Sequence, residues 1–233
     1  MAAFALTVSA LHAGTVTLDF GSLPSAQGWT YGSSPPENNI FSLSGGVLTQ
    51  NSLGIGGESA YYSLGGIFDS SPLFSLSFRA RLLEGELGAP EDPSGFAVKL
   101  DNVSQAVGVG LGLNRVVVFG PSQTPLFVNT SIDTSQFHDY LLNGRTADHA
   151  WDLFVDGSLL GSGATEIGNF PNSIYFGDLT DGHNARGEWT QLSFSQVPEP
   201  TAFNLLAGAF VAGLLYRLWM KRRNHTTHFS FNA

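Results

Sequence analysis

Apolar and polar residues alternate one for one along much of this chain. The clearest run is FSLSFRARL, residues 74–82. Phe74, Leu76, Phe78, Ala80 and Leu82 share one parity, and Ser75, Ser77, Arg79 and Arg81 the other. Period two over this length predicts a strand with one face buried and one wet. TVTLDF, residues 15–20, repeats it with Val16, Leu18 and Phe20. WDLFVDGSLLGSG, residues 151–163, predicts a hairpin, because Asp156-Gly157 suits a tight turn whose two central residues take positive φ. Further strands are expected at 46–50, 60–64, 95–100, 107–113, 116–119, 137–142, 173–178 and 188–195, with a weak one near Phe41. Roughly a dozen short strands with turn residues between them predict an antiparallel sandwich or barrel. Its expected core includes Leu76, Phe78, Leu153, Val155, Phe176, Leu192 and Phe194, with Trp151 and Trp189.

Composition sharpens this picture. The 233 residues include 28 Gly, 11 Pro and no Cys, and only 12% are charged. The lack of cysteine excludes a disulfide framework and thiolate-bound zinc. Residues 14–198 hold 18 acids and 6 bases, a net of −12. So acidic a body repels nucleic acid and anionic lipid, and neither is expected as its partner.

One strand has an unusual face. In AVGVGLGLN, residues 106–114, Val107, Val109, Leu111 and Leu113 alternate with Gly108, Gly110 and Gly112. Glycine inside a strand marks a bend or a close approach by another group. Either a ligand lies on a smooth groove floor, or the sheet curves and a loop packs against it.

Two stretches, HDYLLNGRTADHAWDLFVDGSLLGSG and NSIYFGDLTDGHNARGEWTQLSFSQV, resemble the second half of a laminin G-like, concanavalin A-like jelly roll. The features that carry this are the W-x-L-F-V-D-G hairpin and the late I-Y-F-G-D and W-x-x-L-x-F strands. The resemblance spans residues 15–195 and implies an all-β, antiparallel jelly-roll sandwich. Members include lectins, adhesive modules and glycoside hydrolases, so the fold alone names no function. The hydrolases of this fold carry E-x-D-x-E or E-x-D-x-x-E on one strand, where alternation puts the carboxylates on one face. This sequence has no such run. Glu84, Glu86, Glu91 and Asp92 fall in LEGELGAPEDPSG, which reads as an acidic loop. There is also no G-x-S-x-G or H-E-x-x-H. The expectation is therefore no catalytic residue and no enzyme. Laminin G-like domains often hold calcium at the rim, which makes Ca2+ the candidate cofactor. Asp101 with Asn102, and Asp178 with Asp181, are its candidate ligands, and ordinary turn chemistry is the alternative. Trp29, Tyr31, Tyr61 and Tyr62 lie near Gly- and Ser-rich turns and are the candidates for stacking on a sugar.

The two ends differ from the middle. Ala2 to Leu11 is an apolar run followed by small residues at Ala13 and Gly14, which reads as a signal peptide over residues 1–13, without the usual basic start. A buried first strand is the alternative. The stretch 201–220 has twenty residues, enough for a transmembrane helix. Eight of them are Leu, Phe or Val, which together favour insertion by about 4 kcal/mol. Arg217 can snorkel to the interface, and Lys221, Arg222 and Arg223 should stop transfer and stay cytoplasmic. Pro198-Glu199-Pro200, a spanning helix and a basic cluster, in that order, resemble the PEP-CTERM sorting signal of exported Gram-negative proteins. The resemblance implies cleavage by a membrane-embedded exosortase and transfer to the cell surface or extracellular matrix. The organisation expected is a leader at 1–13, a sandwich at 14–196, a sorting segment at 197–223 and a polar tail at 224–233. The function expected is structural or adhesive, with an extracellular polysaccharide as the partner. The alternatives are a glycan-active enzyme on the same fold and an uncleaved single-pass membrane protein.

Overall fold

The computed structural model describes residues 15–56, 58–66, 73–85, 95–102, 105–146, 148–168, 172–180 and 182–197. Two compact units divide the chain, Met1–Pro198 and Glu199–Ala233, and the described residues all belong to the first. The expected leader, sorting motif and spanning helix lie outside them. No helix among the described residues is long and apolar enough to cross a membrane.

The unit is an antiparallel β-sandwich. Its strands are β1 (Thr15–Leu18), β2 (Thr30–Gly32), β3 (Phe41–Ser44), β4 (Val47–Asn51), β5 (Ala60–Gly65), β6 (Leu73–Gly85), β7 (Ala97–Asn102) and β8 (Gln105–Gly112). They continue with β9 (Arg115–Phe119), β10 (Pro125–Asn129), β11 (His138–Arg145), β12 (Ala150–Val155), β13 (Ser158–Ala164), β14 (Ser173–Asp178) and β15 (Ala185–Val197). One sheet runs β13-β12-β11-β6-β15-β4-β3, with β1 also paired to β15; the other runs β10-β9-β8-β7-β14-β5-β2.

The alternation in the sequence is what builds the interface between the sheets. Leu76 and Phe78 of β6 stand opposite Phe194 and Leu192 of β15, and Leu142 and Tyr140 of β11 lie on the other side. All seven expected core residues are buried, as are Trp151 and Trp189. Aromatic packing runs through the centre. Phe96 stacks on Trp189 with centroids 4.2 Å apart, and Phe176 stacks on Tyr62 at 5.2 Å. At the β12–β13 turn, Asp156 and Gly157 have φ of 49° and 77°, as a two-residue hairpin requires.

Three details depart from the sequence reading. Leu113 is in the turn after β8 and 45% exposed, because Asn114 takes a left-handed φ and ends the strand. Strand β6 runs through Glu84 to Gly85, held by pairing with β15, so Glu84 closes a strand and forms an ion pair with Arg186 at 3.3 Å. Strands β2 and β10 were not expected. They are short edge strands, and β10 opens on a proline, which an edge tolerates.

Candidate functional site

The outer face of the second sheet carries the site. Register places Phe119, Gly108, Lys99, Tyr175 and Ser63 in one row across β9, β8, β7, β14 and β5. The adjacent row is Val117, Gly110, Ala97, Gly177 and Tyr61. A hollow of about 460 Å³ lies on this face, walled by Tyr61, Tyr175, Phe119 and Leu179 and floored in part by Lys99. Tyr61 and Tyr175 meet edge to face at 5.9 Å. The Tyr61 ring lies over Gly32, where a Cβ would come within 2.9 Å of its Cζ. Burial raises the Tyr175 phenol above its ordinary range, so it stays neutral and can donate a hydrogen bond at physiological pH.

A strap closes one side of the hollow. After β9 the chain turns at Gly120, whose N–H donates to Thr124 O (2.9 Å). The strap then reaches back over the sheet. Lys99 Nζ donates to Pro121 O (3.1 Å), and Gln123 Nε2 donates to Leu179 O (2.7 Å), beyond the end of β14. Gln123 has φ 60°, a conformation that non-glycine residues seldom adopt. Lys99 is also ion-paired with Asp101 at 2.8 Å, with the Asp101 side chain fully buried.

The glycine face of β8 is packed against protein. A Cβ at Gly108 would sit 2.6 Å from Cε2 and 2.8 Å from Cε1 of the Phe119 ring. One at Gly112 would meet Arg115 Cγ at 2.8 Å. All eight residues of β8 are buried. Of the two explanations open for this face, close packing is the one realised, and the ligand-sized space lies further along the sheet.

Carboxylates on this face of the sheet were not legible in any motif. The outward positions of β7 are Ala97, Lys99 and Asp101, so the strand presents a single carboxylate, neutralised by its neighbour. A second comes from a segment the sequence reading left as a loop. Ala106 pairs with Asp101 on one side and bridges to Glu166 on the other, which puts Asp101 and Glu166 on one face of the sheet. Glu166 is exposed and its carboxyl packs against Gly120, where a Cβ would lie 2.9 Å from Cδ. No alternation surrounds Glu166, so only the tertiary bridge reveals it.

The predicted ligand residues separate. Trp29 and Tyr62 are core residues, not sugar platforms. Trp29 is 4% exposed and packs edge-on against Phe176, while Tyr62 is fully buried and donates from Oη to Glu37 Oε1 (2.7 Å). Burial and Glu37 raise the Tyr62 phenol far above its ordinary range. Tyr31 is half-buried against Phe41 and Tyr62, with Oη donating to Pro35 O (2.8 Å). Tyr61 alone of the four lines the hollow.

The proposed metal ligands do not converge. Asp101 pairs with Ser173 at the start of β14 and Asp178 ends it, so the two stand about 17 Å apart along the strand. Asn102 Oδ1 accepts from Gln105 N (2.8 Å) across the β7–β8 turn. Asp178 accepts from Ser52 Oγ and from Thr180 N (3.1 Å) and Oγ1 (3.0 Å), tying the loop before β15 to β4. Asp181 lies outside the described residues. Among the described residues no group of three or more His, Asp or Glu side chains is placed to hold a metal ion.

No known protein family and no curated protein matches this sequence. Solved structures match the fold. The endo-β-1,3-glucanase from Pyrococcus furiosus aligns at TM-score 0.51 and 14% identity, over 78% of this chain and 93% of that one. The Bacillus licheniformis β-glucanase aligns at 0.48 and 12%, over 79% and 99%. The metal-free lectin I-B4 of Griffonia simplicifolia aligns at 0.46 and 9%, over 79% and 100%. The fold neighbours of this chain are thus concanavalin A- and lectin-like jelly rolls. The expectation that the protein is not an enzyme is corrected by the first of these, a glucanase built on this architecture. The missing E-x-D-x-E run does not exclude carboxylates from other segments, as Glu166 illustrates.

Proposed function

We propose that this is a glycan-active jelly roll whose carbohydrate chain seats in the hollow on the second sheet. The observation that carries the reading is the half-exposed Tyr61–Tyr175 pair beside the strap. Sugars present apolar C–H faces and a rim of hydroxyls. Partly exposed rings accept the first, and their phenol groups, with Ser122 at the rim, meet the second. The purified full-length chain, titrated with soluble β-1,3-1,4-glucan, β-1,3-glucan and galactomannan, should bind at least one. Tyr61→Ala and Tyr175→Ala should each weaken that binding about tenfold, or about 1.4 kcal/mol. Unchanged affinity in both variants removes the hollow as the site.

On this reading cleavage belongs to the exposed carboxyl on the other side of the strap, Glu166, and acts on a chain seated there, not on the chain held in the hollow. Asp101 and Glu166 flank Ala106 on one face, with Cα atoms two strand spacings, about 10 Å, apart. Asp101 is fully buried and ion-paired with Lys99, so it does not serve as the second, water-activating carboxyl of an inverting pair. Glu166 is the accessible member and the candidate proton donor. Release of reducing ends that is abolished by Glu166→Gln, with binding retained, is the expected result. Equal release by the variant moves the chemistry elsewhere.

The termini supply location. The apolar leader, Pro198-Glu199-Pro200, the apolar stretch 201–220 and Lys221-Arg222-Arg223 support export, anchoring in the inner membrane and release by an exosortase to the surface or matrix. In a host with that enzyme the protein should lose the mass of residues 201–233, and Glu199→Ala should stay full length.

A further inference from the structure

The second sheet is roofed over half its width. The outward positions Ala97, Lys99 and Asp101 of β7, Gly108 and Gly110 of β8, and Val117 and Phe119 of β9 are all buried. On the other half, Tyr175 of β14, and Tyr61 and Ser63 of β5, are half-buried, while Gly65 and Thr30 are exposed. The border is the strap. It stands directly above β7, because Lys99 reaches Pro121 O, and it runs on to Leu179 at the far end of β14. A polymer crossing the sheet at right angles to the strands would have to pass through Pro121–Gln123.

We propose that the hollow is a blind groove that takes the end of a glycan chain, and that the Gln123–Leu179 hydrogen bond is the fastening that blocks passage of a chain interior. This rests on the hollow being the glycan site. A chain end enters over Ser63 and Tyr61, lies on Tyr175 and stops against the strap. The hollow's volume of about 460 Å³ is large enough for one or two sugar rings. Gln123 is suited to be the fastening. Its side chain makes the strap's bond to the β14 end, and its left-handed backbone is fixed in the turn by Gln123 N donating to Gly120 O (3.2 Å).

Chain length separates end-on from side-on binding. The full-length protein is titrated calorimetrically with two fractions of soluble β-1,3-1,4-glucan, equal in mass and tenfold different in length. End-on binding predicts a binding capacity per gram tenfold lower for the long fraction, since capacity then counts chain ends. Gln123→Gly keeps the backbone conformation and removes only the side-chain bond. It should raise the capacity of the long fraction severalfold and leave that of the short fraction nearly unchanged. A wild-type capacity per gram that ignores length overturns the blind groove. A length ratio unmoved by Gln123→Gly overturns the fastening. Failure of wild type to bind either fraction sinks the glycan reading for this polymer and, with it, this inference.

Discussion

Adding one methyl group to β8 tests whether its glycine face belongs to the core or to a ligand. In Gly108→Ala the new Cβ would stand 2.6 and 2.8 Å from two atoms of the Phe119 ring, with Cζ closer still. Carbon pairs rest at about 3.5–4.0 Å, so the ring must retreat by roughly 1 Å or more. It has nowhere to go cheaply, because Phe119 is 1% exposed and sits beneath the start of the strap. Overpacking of this kind costs about 1–3 kcal/mol. Alanine recovers about 0.5–1 kcal/mol by restricting the unfolded chain. The net loss should be about 1–2 kcal/mol, or about 2–8 °C in Tm for a domain of this size. A urea titration followed by tryptophan fluorescence measures it. In Phe119→Ala the obstacle is gone, so Gly108→Ala should then cost nothing further, a coupling of about 1–2 kcal/mol in a double-mutant cycle. If Gly108→Ala is neutral or stabilising and only glycan affinity falls, the face is open to ligand and the packing argument is wrong.

The aromatic residues give a second contrast. Trp29→Ala should cost about 3–5 kcal/mol, since it empties a site packed against Phe176. Tyr61→Ala should cost under about 1 kcal/mol in stability, as its ring is half-exposed, and its effect should appear in binding. A third prediction concerns acid. The Asp156 carboxyl is held below its ordinary range by the Asp139 N–H and then by His138; Ser162 and Arg145 do the same for Asp152. Groups with depressed folded-state values contribute stability above the unfolded value, about pH 4, and lose it as pH falls through the folded values. The midpoint of urea unfolding should therefore be flat from neutral pH to about pH 5 and drop below about pH 4. Asp156→Asn should make the drop shallower, and an acid limb identical to wild type would rule out this assignment.

How much was legible follows from how local each signal is. Strand positions came from alternation, and the β12–β13 turn from Asp156-Gly157, because both are written in adjacent residues. Orientation was also written in part. Tyr62 shares its parity with Ala60 and Leu64, and Tyr61 with Ser63, so period two already places Tyr62 inward and Tyr61 outward. Trp29 had no such cue, since it precedes a strand of three residues. Asp101, Asn102 and Asp178 satisfy both a calcium reading and a turn reading in sequence; in the structure their oxygens have protein partners. Glu166 and the strap were invisible for a different reason. Gly120-Pro121 announces a turn, but where its far side lands is set by Lys99 and Leu179, distant in sequence.

Lys99 links these observations. Burying an ammonium and a carboxylate is costly, and a buried pair is weak evidence of stability. What such a pair can add is a fixed geometry. Lys99 has three donor positions. One meets Asp101 and another meets Pro121 O, so the same charge that neutralises the strand's carboxylate also sets the height of the strap above it. The central outward position of β7 is thus a lysine, and the strand holds the roof. Carboxylate chemistry, if it is to reach a glycan here, must then come from beyond the strand. The exposed carboxyl bridged to the same row, on the side away from β7, is Glu166. Roof and candidate acid thus have one origin: the outward face of β7 is used for packing, and the surfaces left for ligand and chemistry are displaced to its two sides.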